Sequence, residues 1–275
     1  MIRLVGLDLD GTLLATDKSL SAANREALER AAASGVYIVP VTGRPLYGLP
    51  SVVEDLDFVR YAITSNGAVI YDREQGTALR EYLMTAEKAA EILEAAQLPG
   101  TICEYFAGGY GHHDDRGWEY LQGRFGKGPL MSYIRQSRKR VDDVMESMMT
   151  CGRGIENIST MSLTHEEQEM IRQKVMMIAG VRCIIPCPTD LEITSAEADK
   201  GTALLQLADL MGIRRDEVMA MGDGDNDYSM MKAAGISVAV ANADRRIMEA
   251  ADHRAPSNDE DGVADAVDRF VLTGR

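Results

Sequence analysis

The stretch "VGLDLDGTLL", residues 5–14, places two aspartates at the end of an apolar run. The apolar residues before Asp8 predict a buried β-strand, and Gly11 favours a turn after it. Alternation along an extended backbone would put Asp8 and Asp10 on the same side, where two ionised carboxylates repel. A divalent cation such as Mg²⁺ would offset this repulsion. The alternative interpretation is a pair of acids that cap the turn.

Segments typical of strands and helices alternate through the first and last thirds of the chain. The first third runs strand, helix, strand, and then two short strands about the turn Ser65-Asn66-Gly67. The last third resumes the alternation, with "EVMAMGD" and "ISVAVANA" as strands. This order predicts an α/β fold with a doubly wound parallel sheet. In such sheets, functional groups gather outside the carboxyl ends of the strands.

The middle of the chain differs in character, because helices there mix with strands and with glycine- and aromatic-rich segments. We therefore expect an α+β domain inserted into the doubly wound one. The predicted boundaries are residues 1–82 and 188–275 for the core and 83–187 for the insertion. The linkers near residues 82 and 188 are expected to act as hinges.

Two short segments combine polar groups with the end of a predicted strand or the start of a predicted helix. In Thr42-Gly43, a hydroxyl and a glycine amide could hold a phosphate oxygen, or the pair could form an ordinary turn. Lys200 stands in the first turn of a helix, where the helix dipole disfavours a cation. A nearby anion would reverse that penalty, whereas the alternative is a solvent-exposed lysine.

The segment "GDGDND", residues 222–227, concentrates three aspartates between a predicted strand and a predicted helix. An EF-hand loop is excluded, because the sixth and twelfth positions from Asp223 are Tyr228 and Ala234, where glycine and glutamate are required. A strand rather than a helix also precedes the loop. An anionic site and a solvated acidic loop remain the two interpretations.

Taken in order, "DLDGTLL", "VTGR", "KG" and "GDGDND" resemble the four motifs of the haloacid dehalogenase superfamily of phosphotransferases. "SNGAVIYD" and "VAVANADRRIMEAAD" are similar to its Cof-type branch, subfamily IIB, which inserts an α+β cap between the second and third motifs. The resemblance implies a Rossmann-like core and a Mg²⁺-dependent phosphatase for small phosphorylated metabolites, either sugar phosphates or a phosphorylated cofactor. A sugar phosphomutase and a non-catalytic phosphometabolite sensor are the alternatives.

The resemblance also implies a role for each residue of these motifs. Asp8 would be the nucleophile that forms an aspartyl-phosphate, and Asp10 would be the general acid and then the general base. Mg²⁺ would bind the side chains of Asp8 and Asp223 and the main-chain carbonyl of Asp10. Asp227 would lie behind them and orient water or a lysine. The phosphoryl group would be held by Thr42, Lys200, Asn226 and the amides of Leu9 and Gly43.

Within the insertion, "YFAGGYGHHDDRGW" offers Tyr110, His112 and His113 as substrate contacts. A metal site on the paired histidines and a plain strand with its loop are the alternatives. The basic run from Arg135 to Arg140 has two interpretations, a solvated face or a patch that steers phosphates.

Bulk composition limits the partners. The 275 residues carry 29 basic and 43 acidic side chains, a net charge of −14, which disfavours nucleic acids and anionic membranes as partners. No secretory signal is visible, and no apolar run approaches the roughly 20 residues of a membrane span. Four scattered cysteines predict reduced thiols. We expect a cytoplasmic protein; its oligomeric state is not indicated.

Overall fold

The computed structural model of the chain describes residues 1–126, 129–161, 164–187 and 189–273. Its strands are, in chain order, β1 (Leu4–Leu7), β2 (Tyr37–Pro40), β3 (Tyr61–Thr64), β4 (Val69–Asp72), β5 (Thr77–Glu81), β6 (Ile102–Ala107), β7 (Tyr110–His113), β8 (Arg138–Arg140), β9 (Asn157–Met161), β10 (Val181–Cys187), β11 (Asp190–Ser195), β12 (Val218–Gly222), β13 (Ile236–Val240) and β14 (His253–Ala255).

The α-helices alternate with these strands. They are α1 (Ala22–Ala33), α2 (Ser51–Glu54), α3 (Ala86–Ala96), α4 (Asp115–Phe125), α5 (Pro129–Ser137), α6 (Val144–Thr150), α7 (His165–Val175), α8 (Lys200–Leu210), α9 (Tyr228–Ala233), α10 (Arg245–Ala250) and α11 (Gly262–Ala266). No helix in the described ranges is both long enough and apolar enough to span a bilayer.

The chain divides into two compact units. The first comprises Met1–Gly43, Ser51–Glu81 and Asp199–Arg275, and the second comprises Arg44–Pro50 and Tyr82–Ala198. The sequence predicts a return to the core at residue 188, whereas β11 lies in the second unit. The reason is its backbone pairing, since β11 is antiparallel to both β10 and β9.

A five-stranded parallel sheet, ordered β14-β13-β12-β1-β2, forms the centre of the first unit. A single bridge between Val41 and Ile63 connects its β2 edge to the antiparallel group β3-β4-β5. Every residue of β1 and β12 is buried, as expected for parallel strands covered on both faces. The predicted doubly wound α/β fold is confirmed.

The second unit contains a six-stranded sheet ordered β10-β11-β9-β6-β7-β8, antiparallel except for the pair β7-β8. Two apolar clusters involve its helices. The larger cluster contains Ile92 of α3, Met148 of α6 and Ile171 of α7, together with strand residues such as Ile158. The smaller one contains Leu121 of α4 with residues of α5. The mixture of helix and strand matches the α+β character predicted for the insertion.

Candidate active site

Two neighbouring strands of the parallel sheet deliver aspartates to the same edge. Leu7, the last residue of β1, is in register with Met221 of β12, and the Asp8 amide donates to the Met221 carbonyl at 3.0 Å. Asp223 follows the end of β12 directly. The carboxyl ends of parallel strands meet at one edge, so Asp8 and Asp223 emerge side by side.

Lys200 links this edge to the helix that packs behind it. Its Nζ donates to Asp8 Oδ1 at 2.8 Å and to Asp227 Oδ1 at 2.6 Å, and its side chain is only 1% exposed. The two carboxylates compensate a cation that the N-terminus of α8 disfavours. The alternative of a solvent-exposed lysine is therefore wrong. At the adjacent Gly201, a Cβ would lie 2.4 Å from the Ser229 carbonyl oxygen, so a glycine is needed where α8 crosses α9.

The loop after β12 is built around Asp227. Its Oδ2 accepts hydrogen bonds from the amides of Asp223 and Gly224, each at 3.0 Å, and the residue is fully buried. A Cβ at Gly222 would lie 2.5 Å from the Asp227 Cβ. Asp227 therefore fixes the backbone beside Asp223 with one oxygen and holds the Lys200 ammonium with the other.

The electrostatics of this cluster leave an excess of negative charge. Burial raises the pKa of Asp8 well above its usual value and the charges of Asp227 and Asp223 add to the rise, although Lys200 opposes it. Burial and the Asp227 charge raise the pKa of Asp223 to about 6. Burial alone would lower the pKa of Lys200, but Asp227 and Asp8 outweigh it, and the pKa is raised. Three carboxylates thus share one ammonium.

The same cluster has the chemistry of a magnesium site. Asp8, Asp223 and Asp227 each offer a carboxylate oxygen, and these oxygens lie within 4.8 Å of one another. Mg²⁺ prefers oxygen ligands from one or two carboxylates and is completed by water and substrate phosphate. A dication would also relieve the repulsion that raises the pKa values of Asp8 and Asp223. The residues present therefore fit this ion.

Gly11 and Thr12 shape the Asp223 side of the cluster. Gly11 has φ +88°, and a Cβ there would lie 2.4 Å from Asp223 Oδ2. The hydroxyl of Thr12 donates to Asp223 Oδ1 at 2.8 Å, which lowers the pKa of that carboxyl against the effect of burial. Position 11 therefore requires glycine, both because φ is positive there and because the Asp223 carboxylate approaches so closely.

The side chain of Asp10 contacts a neighbouring lysine. Its carboxylate accepts a hydrogen bond from Lys18 Nζ at 2.9 Å, and its side chain is 38% exposed. Strand alternation does not apply at Asp10, because the extended strand ends at Leu7 and a turn begins at Leu9. The roles implied for the Asp10 side chain and for its carbonyl stay predictions.

The residues predicted to hold phosphate come together in the first unit. Thr42 follows β2, and its amide donates to the Ile63 carbonyl at 2.9 Å. A Cβ at Gly43 would lie 3.0 Å from Asn66 Oδ1, the oxygen that also accepts from Asn226 Nδ2 at 3.1 Å. The loops that carry Thr42 and Asn226 are therefore joined through Asn66.

Sequence reasoning missed Asn66 as part of the site and treated it only as a turn residue. It is 2% exposed, adopts the left-handed conformation at φ 57° and ψ 31°, and donates its amide to the Thr42 carbonyl at 3.0 Å. Asparagine tolerates this conformation better than most residues. Its presence in a turn after a strand end was the available signal.

Asn242 was also missed. Its Nδ2 donates to the Gly11 carbonyl at 2.8 Å, and its Oδ1 accepts from the Asn258 amide at 3.0 Å. Asn258 in turn donates from Nδ2 to the Leu14 carbonyl at 2.9 Å. Two asparagines from the C-terminal third thus hold the loop that follows Asp8. The position of Asn242 just after β13, another strand end, was the only signal.

The candidates in the insertion all lie on β7. His113 is fully buried and stacks on Trp118 with ring centroids 5.5 Å apart, whereas His112 stacks on Tyr105 at 4.5 Å. Neighbouring residues of a strand point to opposite faces, so the two imidazoles do not share a metal ion. Tyr110 stacks on Tyr47 at 4.1 Å.

Comparison with known proteins agrees with this geometry. The chain matches the family model of haloacid dehalogenase-like hydrolases over residues 5–267. The chain belongs to this family. The putative phosphatase YxeH of Bacillus subtilis (strain 168) is 30% identical over 99% of both chains. The resemblance to the Cof-type branch is confirmed, and the protein is a phosphatase of this family.

Two further relatives of this phosphatase are informative. The 5-amino-6-(5-phospho-D-ribitylamino)uracil phosphatase YcsE of Bacillus subtilis (strain 168) is 29% identical, over 98% of this chain and 96% of the relative. A solved structure of a haloacid dehalogenase-like hydrolase from B. subtilis superposes with a TM-score of 0.87 at 28% identity, covering 98% of this chain and all of the other. The phosphatase therefore shares its fold with its relatives over nearly its whole length.

Proposed function

We propose that this phosphatase hydrolyses small phosphorylated metabolites, sugar phosphates or a phosphorylated cofactor, with Mg²⁺ and through an aspartyl-phosphate on Asp8. The observation that carries the proposal is the buried Asp8 carboxylate at a strand end, held by Lys200 at 2.8 Å and placed beside Asp223. A carboxylate at such a position can attack phosphorus and divide one difficult displacement into two.

The side chains of Asp8 and Asp223 and the carbonyl of Asp10 would hold Mg²⁺. When bound, this ion supplies positive charge to the phosphoryl oxygens. Asp227 takes no direct part in the chemistry; it keeps the Lys200 ammonium in place and fixes the amide of Asp223.

In the first step, a carboxylate oxygen of Asp8 forms a bond to phosphorus as the bond from phosphorus to the ester oxygen breaks. Asp10 gives its proton to that leaving oxygen, and an alcohol departs. The 38% exposure of the Asp10 side chain supports its access to protons and to water. Lys18 must release the Asp10 carboxylate before Asp10 carries a proton.

In the second step, Asp10 takes a proton from water, and the resulting hydroxide oxygen forms a bond to phosphorus. The bond between phosphorus and Asp8 then breaks, which restores the Asp8 carboxylate and releases inorganic phosphate. Lys200, Asn226, Thr42 and the amides of Leu9 and Gly43 would bind the phosphoryl oxygens throughout. Catalysis of phosphoryl transfer rests mainly on such positioning and charge neutralisation.

We further propose that the second unit acts as the cap that selects the substrate, with residues 83–187 as the predicted insertion. The relative named for a phosphorylated ribitylaminouracil supports small phosphorylated metabolites as the substrate class. Tyr110 and His112 stay candidate substrate contacts. His113 is a less suitable contact, because its side chain is fully buried.

Phosphate release from an aryl phosphate ester and from a metabolite panel tests this function. We expect Mg²⁺-dependent release by the wild type, its loss with EDTA, and its loss in Asp8→Asn. Asp225→Asn is the matched control, since Asp225 is an exposed aspartate of the same loop and pairs with Arg246. A wild type as inactive as Asp8→Asn across the panel would contradict the proposal. An isomeric sugar phosphate without free phosphate would identify a mutase instead.

A further inference from the structure

A small cavity lies within the second unit, beside the tight turn that joins β6 to β7. Its volume is about 290 Å³, near the lower end of the range for small-molecule sites. We call it the Arg153 cavity. Its side-chain lining includes Tyr47, Tyr110, His112, Lys139, Cys151 and Arg153. The space suits a compact group or a small metabolite rather than a long ligand.

The charges around the Arg153 cavity are uncompensated. Some arginines of this unit have carboxylate partners, such as Arg138 with Glu104 and Arg124 with Asp190. Within the described ranges, neither Arg153 nor Lys139 forms an ion pair. Lys139 instead places its Nζ 3.7 Å from the centroid of the Tyr110 ring. Among the described residues that line the cavity none is acidic, so both cations face it without a carboxylate of the lining.

The turn beside the cavity is shaped to admit these side chains. Gly108 has φ +58°, and a Cβ there would lie 2.9 Å from Arg153 Nη1. Gly109 has φ +80°, and a Cβ there would lie 3.0 Å from Tyr47 Cδ2. The Gly109 amide donates to the buried Glu156 Oε1 at 2.7 Å, which fixes the turn. The two glycines therefore let the guanidinium and the tyrosine ring approach the backbone.

The remaining wall of the cavity is aromatic and partly buried. Tyr47 and Tyr110 stack with ring centroids 4.1 Å apart and an interplanar angle of 15°. Burial lowers the pKa of His112, and the charge of Lys139 lowers it further. The imidazole is thus neutral near pH 7 and available as a hydrogen-bond donor or acceptor. An anion in the cavity would meet the positive charges of Arg153 and Lys139.

We propose that the Arg153 cavity binds a carboxylate or phosphate group of a small molecule. The guanidinium of Arg153 presents forked donors that match these oxyanions, and Lys139 supplies a second positive charge. Tyr47 gives apolar contact to the part of the ligand next to the anion. The group belongs either to the substrate, as a second anion in addition to the reacting phosphate, or to a separate small anion. The first source rests on the proposed function, whereas the second does not.

Cys151 offers a reporter at the cavity itself. It lines the cavity and is half-buried, so an occupant would slow its alkylation. We would measure iodoacetamide labelling of the Cys151 peptide by mass spectrometry in EDTA, with 6-phosphogluconate, citrate or neutral glucose as probe. We expect the two anions, but not glucose, to slow labelling of the wild type. Each variant is compared with its own rate without probe.

Substitutions at Arg153 and Lys139 test whether the protection of Cys151 depends on these two cations. Loss of a charge-assisted contact in Arg153→Ala or Lys139→Ala should raise the anion concentration needed for protection by about tenfold or more. Lys174→Ala is the control, since Lys174 is an exposed cation on α7 away from the cavity, and its protection should equal that of the wild type. Arg153→Lys should retain part of the protection. Unprotected wild-type Cys151, or equal protection in Arg153→Ala, would overturn the proposal.

Kinetics separate the two sources of the anion. If the anion belongs to the substrate, Arg153→Ala should raise KM for 6-phosphogluconate about tenfold and leave glucose 6-phosphate unchanged. If it is a separate molecule, citrate should change the rate on glucose 6-phosphate in the wild type but not in Arg153→Ala. The labelling result needs no turnover, so failure of the phosphatase mechanism and failure of this anion site are distinguishable.

Discussion

Lys200 Nζ lies 2.8 Å from Asp8 Oδ1, in a contact that joins residues 192 positions apart and leaves the lysine 1% exposed. The same ammonium reaches Asp227 at 2.6 Å. One cation therefore stands between the proposed nucleophile and the residue that fixes the Asp223 loop. The pair links the beginning of the chain to its last third at the edge of the parallel sheet.

Removal of this cation should destabilise the protein strongly. Lys200→Met leaves Asp8 and Asp227 buried without their partner, at a cost of about 3–5 kcal/mol in the free energy of unfolding. The loss should shrink as the pH falls, because Asp8, whose pKa is raised by burial, can then bind a proton. Urea unfolding at neutral and at mildly acidic pH measures both effects. Lys232→Met, at an exposed lysine of α9, is the control, and equal stabilities of the two variants would refute the expectation.

Metal-free protein should lose stability as the pH rises through the titration of Asp223. Its folded-state pKa is raised to about 6 by burial and by Asp227. A raised carboxyl pKa gives a contribution that is present below the unfolded-state value of about 4 and is lost as the pH passes 6. Mg²⁺ binds only the folded state and should restore the stability at neutral pH.

Thermal unfolding with and without Mg²⁺ checks this pH dependence. The shift in Tm on adding Mg²⁺ should be larger at neutral pH than near pH 5, where Asp223 is protonated. Asp223→Asn should reduce the difference, and Asp225→Asn should preserve it. A Mg²⁺ shift that is the same at both pH values would count against an ion bound by Asp223.

Two substitutions of Asn66 distinguish the relief of backbone strain from the role of its side chain in positioning the Asn226 loop. Asn66→Ala should cost about 1–2 kcal/mol, because alanine is strained in the left-handed conformation. Asn66→Gly relieves that strain, yet it also loses the hydrogen bond from Asn226 at 3.1 Å. We therefore expect both variants to lose about tenfold in kcat/KM, while only Asn66→Ala is destabilised. Full activity of Asn66→Gly would show that Asn66 has no positioning role.

The sequence singled out Asp8, Lys200 and Asp223, which the structure brings together, because the signals that mark them are local. Acids at the ends of apolar strands and a lysine at a helix start can be recognised without coordinates. The rest depended on tertiary structure. Asp10 turned towards Lys18 because the strand ends at Leu7, and Asn66 entered the site through contacts with loops far away in the chain. The periodicity of apolar residues along the sequence does not indicate contacts between residues that are far apart in the chain.

The environment of the basic run Arg135 to Arg140 also depended on tertiary structure. A solvated face is one of the two interpretations of Arg135 to Arg140, yet Arg138 is only 9% exposed in its side chain and forms a two-pronged pair with Glu104, at 3.1 and 3.3 Å. The neighbouring Lys139 and Arg140 are exposed. Alternation along β8 places Lys139 on the opposite face from Arg138, but which face is buried depends on the register with β7.

This buried pair yields a further prediction. Glu104→Gln should cost about 3–5 kcal/mol, because it leaves the guanidinium of Arg138 without its counter-charge. The double variant Glu104→Met with Arg138→Met should recover much of that loss. Asp115→Asn removes the carboxylate from the exposed pair with Arg140 and should cost less than about 1 kcal/mol. Chemical denaturation of the variants measures each value, and a mild effect of Glu104→Gln would contradict this reading of the pair.

Covalent trapping on Asp8 tests the mechanism most directly. The enzyme would be mixed with Mg²⁺ and an aryl phosphate ester, quenched in acid and reduced with borohydride, which converts an acyl phosphate to an alcohol. We expect tandem mass spectrometry to find homoserine in place of Asp8, only when substrate and Mg²⁺ are both present. Rapid turnover with an unmodified Asp8, together with full activity of Asp8→Asn, would contradict the aspartyl-phosphate mechanism.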